Sequence, residues 1–397
     1  MVTRTCPCCD ASQFEGLLDF GRVPVSGFFS ADPTEPLILV PLAFELCGSC
    51  GMVRQRGGVA QREYGDMSRP TARQFPAYGD EVITNLKSLG VGPDDLVLEI
   101  GSNDGSLLER LRAAGFRRLL GIEPSHRLAE SGCRRGLIVV NDYFGPEIVA
   151  SLVAAHGPAR AVICRHTLEH VPDPLGFLRA LRDCLDTRCG AALIEVPDSA
   201  VIPEQMNLYE FWDEHLYYFG AENLARLVER AGMNVLRLER QPHLDTRNLL
   251  AWCGAADKQQ LARRPSVRPD AINLWQELPA KWLAYRRRLA GIVRAAPRPL
   301  YLIGASHPQY NLVNYVGIGA LVDHFIDDDP AKVGRFPPVA QGRASIMSTA
   351  GFEATARSGT VLKTGFGYPQ WTARVCEGAT RHGMQVLDPR DSVAACA

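Results

Sequence analysis

The chain has 397 residues, a formal net charge of −1 and 46% hydrophobic residues, enough for two or three domains with cores of their own. The balanced charge gives no support for nucleic acid or an anionic membrane as a partner, and no apolar run approaches the ~20 residues that span a bilayer. The residues printed before the first cysteines do not resemble a secretory signal. We therefore expect a cytoplasmic protein whose 12 cysteines are thiols and metal ligands, not disulfides.

The first 50 residues contain two C-x-x-C pairs, Cys6 with Cys9 and Cys47 with Cys50. Four thiolates are the set that holds a structural Zn²⁺ in tetrahedral geometry. We call each C-x-x-C pair a knuckle. Cys8 lies inside the first knuckle, so the sequence leaves open which two of its cysteines bind the metal. Redox chemistry is the alternative, but no thioredoxin-like βαβ pattern surrounds these residues. We predict a zinc-binding domain and its connector over residues 1–75.

A polar and aromatic connector, Tyr64 to Tyr78, follows, and its two prolines argue against one continuous helix. It is consistent with a lid over a cofactor domain or with a surface linker. A helix is predicted from Asp80 to Leu89.

A buried strand, a tight turn and the start of a helix come next. Leu96–Ile100 is a short apolar run, typical of a parallel strand covered on both faces. Gly101 and Gly105 bracket a tight turn. A side chain at either position would obstruct a ligand or would be strained, because such a turn needs a positive φ. Asn103 and Asp104 are predicted to cap the helix. This arrangement favours a cofactor that contains adenosine.

The acidic residues near this turn discriminate between such cofactors. The dinucleotide fingerprint G-x-G-x-x-G needs a glycine where this chain has Asn103. Glu99 precedes the turn, where a carboxylate suits a ligand that carries an ammonium group. The next strand, Leu119–Ile122, ends in Glu123, which we expect to accept both ribose hydroxyls. The pattern resembles the S-adenosylmethionine site of Rossmann-like methyltransferases, and a turn without any cofactor is the alternative.

Strands and helices alternate through the rest of this region. The further predicted strands are Leu137–Val140, Ala161–Cys164, Ala191–Val196, Asn234–Leu238 and an edge strand at Leu249–Cys253, and the predicted helices are Arg127–Arg134, Glu147–Ala154, Pro174–Cys184 and Ala221–Ala231. The alternation predicts a doubly wound parallel sheet, with helices on both faces, over residues 76–255. Ligands of such sheets lie beyond the carboxyl ends of the strands.

Three segments at that edge carry candidate site residues. Asp142, Tyr143 and Phe144 follow the third strand and offer contacts for an adenine ring. His166 and His170 follow the fourth strand, at the reacting end of the cofactor.

The third segment, 203–220, is dense in aromatic and acidic residues and contains Glu214 and His215. Aromatic walls exclude water, and a carboxylate beside an imidazole raises its basicity. This pair is therefore a candidate for base catalysis, although a lone histidine is more often structural.

A smaller α/β domain is predicted over residues 256–397. Pro265 to Pro269 is predicted to be a linker. An apolar stripe then predicts a long packing helix with Ile272, Trp275, Trp282, Leu289 and Val293. A second strand and glycine turn begin at Leu300, and the turn is too poor in glycine for an adenosine cofactor. The acidic run 327–329 could hold a metal, but a solvated turn is favoured.

Together these pieces resemble the deoxysugar C-methyltransferases, which methylate a carbon of a nucleotide-linked keto-sugar in antibiotic pathways. The resemblance rests on the paired knuckles, the stretch VLEIGSNDG, His170, the segment FWDEHLYYF, a GAS turn and DDDPAKVGRFPP. It implies an N-terminal zinc domain, a central S-adenosylmethionine domain, a C-terminal Rossmann-like domain and a sugar nucleotide in the cleft between them. It also implies that His215 is the base, Glu214 its neighbour and His170 a second active-site histidine.

Several positions depart from the family pattern. They are Trp212 and Asp66 in place of tyrosines, Leu244 and Asp245 in place of a glycine pair, and the run His307, Pro308 and Gln309 without the usual lysine. Because the departures affect substrate-contacting positions, three interpretations remain. The chain methylates a keto-sugar, it methylates a non-sugar ketone, keto acid or indole, or it is a non-catalytic subunit that supports a partner methyltransferase. We otherwise expect a monomer.

Overall fold

The computed structural model describes residues 4–56, 76–243, 246–255, 269–363 and 369–392. The predicted lid or linker around Tyr64, the departures at Asp66, Leu244 and Asp245, and most of the predicted linker before Pro269 lie outside these ranges. In chain order the strands and helices are β1 (Phe14–Pro24), β2 (Leu39–Cys47), β3 (Val53–Gln55), α1 (Pro76–Ser88), β4 (Leu96–Ile100), α2 (Ser106–Ala113), β5 (Arg118–Ile122), α3 (His126–Arg134), β6 (Val139–Val140), α4 (Pro146–His156), β7 (Ala161–Arg165), α5 (Pro174–Cys184), β8 (Ala191–Pro197), α6 (Val201–Gln205), β9 (Tyr217–Tyr218), α7 (Ala221–Arg230), β10 (Met233–His243), β11 (Thr246–Ala255), α8 (Pro269–Ala295), β12 (Leu300–Ile303), α9 (His307–Val316), β13 (His324–Ile326), β14 (Ser345–Met347), α10 (Thr349–Thr355), β15 (Thr360–Leu362), α11 (Pro369–Arg381) and β16 (Gln385–Leu387).

The central sheet has the strand order β10-β11-β8-β7-β4-β5-β6. The five strands from β4 to β8 are parallel, and helices pack on both faces, so the predicted doubly wound sheet is confirmed. The prediction that Leu249–Cys253 is an edge strand is wrong, because β11 lies between β8 and β10. The burial of the side chains agrees with this strand order. Residues 249–253 of β11 are buried, as expected of an inner strand, whereas Leu236 on the edge strand β10 is 54% exposed.

A four-stranded sheet, β1-β2-β3-β9, forms the N-terminal part of the protein. Its last strand, β9, comes from the chain segment that follows the central strand β8. Val53 and Arg54 of β3 pair with Tyr218 and Tyr217. The aromatic segment that contains His215 is therefore joined directly to the N-terminal sheet.

The C-terminal sheet is parallel, with the order β14-β13-β12-β15-β16. The acidic run after β13 agrees with the turn interpretation, because each carboxylate accepts a different backbone N–H. Asp327 accepts from Ala305, Asp328 from Thr349 and Asp329 from Ala331. Within the described ranges, no helix combines the length and apolarity needed to cross a membrane.

The helix α8 packs where the N-terminal and C-terminal sheets meet. The predicted apolar stripe is confirmed: Trp275, Trp282 and Leu289 are 5%, 7% and 1% exposed. Phe20 of β1 lies edge-on to Trp282, at 5.9 Å between ring centroids, and stacks on Tyr315 of α9 at 4.0 Å. One hydrophobic core thus spans β1, α8 and α9.

Leu289→Ala should lower the free energy of unfolding by about 2–5 kcal/mol, because it opens a cavity in this shared core. Leu283→Ala is the matched control on the same helix, since Leu283 is 45% exposed, and it should change stability by no more than about 0.5 kcal/mol. Chemical denaturation measures both. Equal effects of the two substitutions would contradict the packing of α8.

Candidate active site and cysteine cluster

The turn after β4 has the backbone that its glycines predict. Gly101 and Gly105 have φ values of 72° and 79°, and Asn103 has a φ of 53°. A Cβ at Gly101 would collide with the Thr167 hydroxyl after β7, so the two segments approach closely. The cap prediction was wrong in position: Gly105 is the N-cap of α2, and the carboxylate of Asp104 accepts from the Ser106 N–H at 3.1 Å.

Glu123 and Asp104 both hold the backbone of this turn. The two carboxylate oxygens of Glu123 accept from the N–H groups of Asn103 and Ser125, each at 2.9 Å. Asp104 also forms an ion pair with Arg135, at 3.1 Å. These contacts prearrange the turn.

Glu99 lies at the carboxyl end of β4 and is 5% exposed. Among the described residues no donor reaches its Oε2. Burial raises the pKa of Glu99 to about 8, and the charges of Glu123 and Asp104 add to that rise while Arg165 opposes it. A buried carboxylate with an unmet acceptor atom is suited to a cationic ligand group.

The segment after β6 combines exposed and packed side chains. Asp142 accepts from the Tyr143 N–H at 2.8 Å, and Tyr143 is 41% exposed. Phe144 lies edge-on to Phe177 of α5, at 5.2 Å between centroids. Of these two aromatic side chains, Tyr143 is therefore the exposed one, and Phe144 is partly buried.

His166, after β7, has a φ of 46° and lies between two carboxylates. Its Nε2 is 3.3 Å from Glu195, and its Nδ1 is 3.6 Å from Glu169. Burial alone would lower the pKa of His166, but Glu195 and Glu169 outweigh that effect and raise it to about 10. The two carboxylates therefore favour the protonated form of His166.

Sequence reasoning missed Glu195 and two of its partners, Arg165 and Asn248. Glu195 is fully buried and also accepts from Arg165 at 2.7 Å and from Asn248 at 2.6 Å. Its signal was available, because a glutamate inside the apolar run of β8 is rarely buried without partners. The cation at His166 in turn helps to lower the pKa of His243 to about 4, where burial is the main cause.

The two histidines predicted to be catalytic lie together. Side-chain ligand atoms of Glu169, His170 and His215 are all within 4.8 Å of one another. The rings of His170 and His215 meet edge to face at 4.8 Å between centroids. His170 Nδ1 lies 2.9 Å from the backbone carbonyl of Glu214, so Glu214 contributes its main chain to this cluster.

Glu169 and His215 also line a small cavity beside the end of β8. The walls include Glu210, Tyr217 and Tyr218. No described residue donates to Glu210 Oε1 or to either carboxylate oxygen of Glu169. Burial raises the pKa of Glu210 to about 7, although His166 opposes the shift. Glu210 Oε1 and both Glu169 oxygens thus accept no hydrogen bond from the described residues, although Glu169 Oε1 lies 3.6 Å from His166 Nδ1. Sequence reasoning did not single out Glu210.

An indole closes one side of the histidine cluster. Trp212 stacks on His307 of α9, with centroids 4.3 Å apart and planes 9° apart. Its ring also meets His215 edge to face at 4.8 Å. The backbone of Trp212 is held by the Tyr218 hydroxyl, which accepts from its N–H at 2.9 Å.

The four knuckle cysteines form a compact cluster. Cys6 Sγ is 3.5 Å from Cys50 Sγ, and Cys9 Sγ is 3.6 Å from Cys47 Sγ. Thiolates around a tetrahedral Zn²⁺ are about 3.8 Å apart, given Zn–S bonds of about 2.3 Å. All four sulfurs lie within 4.8 Å of one another, so the donor set fits zinc.

The fifth cysteine and helix α7 support this cluster from outside. Cys8 is 1% exposed, and its thiol donates to the Asn223 carbonyl at 3.4 Å. The Asn223 side chain in turn donates to the Cys50 carbonyl at 2.8 Å. Arg230 donates to the Pro7 carbonyl at 2.7 Å. Helix α7 of the central region therefore holds both knuckles.

Comparison with known proteins identifies the central region. Residues 71–238 match the model of a family described as a methyltransferase domain. The fold is accordingly the α/β, Rossmann-like fold of S-adenosylmethionine-dependent methyltransferases, with additional N-terminal and C-terminal domains, as the sequence predicted.

Individual relatives add detail. The chain is 27% identical, over 241 residues, to the C-methyltransferase NovU of Streptomyces niveus, and the match covers 58% of this chain and 56% of that relative. Among solved structures, it resembles magnesium protoporphyrin IX methyltransferase of Synechocystis at 16% identity and a TM-score of 0.36, over 49% of this chain and 88% of that one. The CcbJ methyltransferase of Streptomyces caelestis gives 15% identity and a TM-score of 0.36, over 46% and 91%.

Proposed function

We propose that the chain is an S-adenosylmethionine-dependent C-methyltransferase of natural-product biosynthesis, which acts on a carbon next to the ketone of a nucleotide-linked sugar. The observation that carries this proposal is the cluster of Glu169, His170 and His215, whose ligand atoms lie within 4.8 Å of one another. Thr167, two residues before Glu169, lies against Gly101 of the turn that we expect to bind S-adenosylmethionine. The identity to a C-methyltransferase over 58% of the chain supports carbon as the acceptor atom.

S-adenosylmethionine, when bound, supplies a methyl group on a positively charged sulfur. Glu99 would pair with its ammonium group, and Glu123 would accept the ribose hydroxyls while it keeps its contacts to the turn. The backbone of residues 101–105 would approach the methionine part of the cofactor. Asp104 would stabilise this turn by its hydrogen bond from the Ser106 N–H. Asp142, Tyr143 and Phe144 would border the adenine, and His166 would lie towards the reacting end.

His215 would remove the proton from the acceptor carbon. A C–H bond next to a carbonyl is too weakly acidic to ionise unaided, and a neutral imidazole is a suitable base near neutral pH. The peptide turn that presents it is tight, because its N–H donates to the Trp212 carbonyl at 3.2 Å. His215 is 7% exposed, which keeps bulk water from competing for the proton.

His170 and Glu214 would support the base. The 2.9 Å contact between His170 Nδ1 and the Glu214 carbonyl is a hydrogen bond when that nitrogen carries the proton, and it orients the ring. With both ring nitrogens protonated, His170 Nε2 would donate to the oxygen side of the acceptor. Positioning of the acceptor against the methyl donor provides much of the rate gain in such a transfer.

We also propose that Cys6, Cys9, Cys47 and Cys50 hold one structural Zn²⁺. A site closed by four thiolates leaves no position for substrate and contributes directly to folding. The 3.5 and 3.6 Å sulfur contacts support this assignment.

Metal analysis should find one zinc per chain, and Cys47→Ser should lose it and lower the melting temperature. Cys8→Ser is the matched control, because Cys8 is equally buried and donates to a carbonyl outside the set; it should keep the zinc. A stable wild-type protein without zinc would refute the site.

Binding of S-adenosylmethionine should weaken as the pH falls from 8 to 6. Because the pKa of Glu99 is raised to about 8, the carboxyl is protonated at pH 6 and must lose a proton before it pairs with an ammonium group. The affinity should drop by about tenfold or more over this range. Calorimetry checks it, with Glu99→Gln as the control that binds weakly at both pH values. A wild-type affinity that does not depend on pH would contradict the role of Glu99.

His215→Gln should lower methyl transfer by about 10²-fold or more while it leaves cofactor binding intact. The probe is a nucleoside diphosphate 4-keto-hexose, offered with uracil or thymine as the base. Solvent deuterium exchange at its α carbon should fall in parallel, because both processes need the same proton removal. The control is His382→Gln, on an exposed histidine of the C-terminal domain.

Transfer near the wild-type rate in His215→Gln would make His215 structural. Methylation of a non-sugar ketone or keto acid in place of the probe would redirect the proposal to that acceptor. Cofactor binding without transfer to any acceptor would favour the partner-subunit interpretation.

A further inference from the structure

The indole N–H of Trp212 is a buried donor beside the base. Among the described residues nothing accepts a hydrogen bond from its Nε1. A buried N–H without an acceptor costs desolvation free energy, and native proteins usually avoid it outside functional sites. Trp371 in the C-terminal domain has acceptors, since its Nε1 donates to Asp328 and Thr349 at 2.9 Å each. Trp252 Nε1 on β11 is also unmet, so it is the position beside His215 that distinguishes Trp212.

The ring of Trp212 is held by its neighbours on several sides. His307 stacks on it at 4.3 Å, while His215 and His170 meet it edge to face at 4.8 and 5.7 Å between centroids. The Tyr218 hydroxyl bonds both its backbone N–H, at 2.9 Å, and its carbonyl, at 3.3 Å. The donor is therefore prearranged, as catalytic hydrogen-bond donors need to be.

We propose that Trp212 donates its indole N–H to the carbonyl oxygen of the acceptor and to the enolate that forms from it. This inference rests on the proposed function, because it takes His215 as the base. The carbonyl oxygen lies roughly 2.4 Å from the α carbon, so a group beside the base is suited to reach it. Trp212 and His215 have ring centroids 4.8 Å apart, which leaves the two groups side by side.

The chemistry of indole fits an enolate better than an enol. When the α C–H bond breaks, its proton goes to the His215 imidazole and its electron pair moves onto the carbonyl oxygen. Indole N–H is a donor only and does not release its proton at neutral pH, so Trp212 stabilises the negative oxygen without protonating it. The electron pair then returns to form the new bond from carbon to methyl, and the bond from methyl to sulfur breaks with its pair left on sulfur.

The test compares Trp212→Phe, which removes the donor and keeps an aromatic ring, with Trp212→Tyr, which offers a hydroxyl donor instead. The readout is deuterium exchange at the α carbon of the nucleoside diphosphate 4-keto-hexose, in D₂O with S-adenosylhomocysteine present. Trp212→Phe should slow exchange by about 10²-fold, with less than about a tenfold loss in probe binding. Trp212→Tyr should recover at least about tenfold of the exchange rate. Trp371→Phe is the control for loss of an indole N–H outside the site.

A second measurement does not depend on turnover. With the five tryptophans labelled with ¹⁵N, the indole signal that disappears in Trp212→Phe is assigned to Trp212. Its proton signal should move downfield when the keto-hexose binds, and the other indole signals should stay in place.

The outcomes separate the two proposals. If the wild-type protein exchanges the α proton and Trp212→Phe does so at the same rate, or the Trp212 signal does not move on binding, the role of Trp212 is overturned while His215 keeps its own. If the wild-type protein neither binds nor exchanges the probe, the proposed sugar function fails, and the role of Trp212 fails with it. A destabilised Trp212→Phe is recognised by its melting temperature, and Trp212→Tyr together with the spectrum then decides.

Discussion

The peptide of Leu216 is the link on which the arrangement of the site depends. Its N–H donates to the Glu169 carbonyl at 2.8 Å, and its carbonyl accepts from the Gln55 N–H at 2.9 Å. One residue therefore ties the chain after β7 to strand β3 of the N-terminal sheet. Because His215 immediately precedes Leu216, the backbone of His215 is held close to Glu169. The short β9 pairing is thus a positioning device as well as an element of the sheet.

Buried polar groups near this link differ in how many partners they have. Glu195 has Arg165, His166 and Asn248 as partners. Glu169 and Trp212, by contrast, keep polar atoms that no described residue meets with a hydrogen bond. The protein gives up stability there, since each unmet group costs about 1–3 kcal/mol.

The sequence predicted those features that depend on local patterns. The helix α5, Pro174–Cys184, has the predicted bounds because Pro174 and the Asp173 cap mark its start. The glycine turn and the cysteine knuckles were likewise readable, since their spacing is a property of a few neighbouring residues. Features set by distant pairing were missed. The position of β11 in the sheet and the pairing of β9 depend on strands far away in sequence, and so does the packing of α8 on β1.

The cysteine cluster and the aromatic segment support each other through helix α7. This helix begins at Ala221, directly after the segment that carries His215 and β9. Its Asn223 and Arg230 hold the backbone of the two knuckles by hydrogen bonds of 2.8 and 2.7 Å. The segment is therefore held at β9 by the N-terminal sheet and at its far end by the helix that contacts the cysteines. A metal at the four cysteines would stabilise the two C-x-x-C pairs and, through α7, the position of His215.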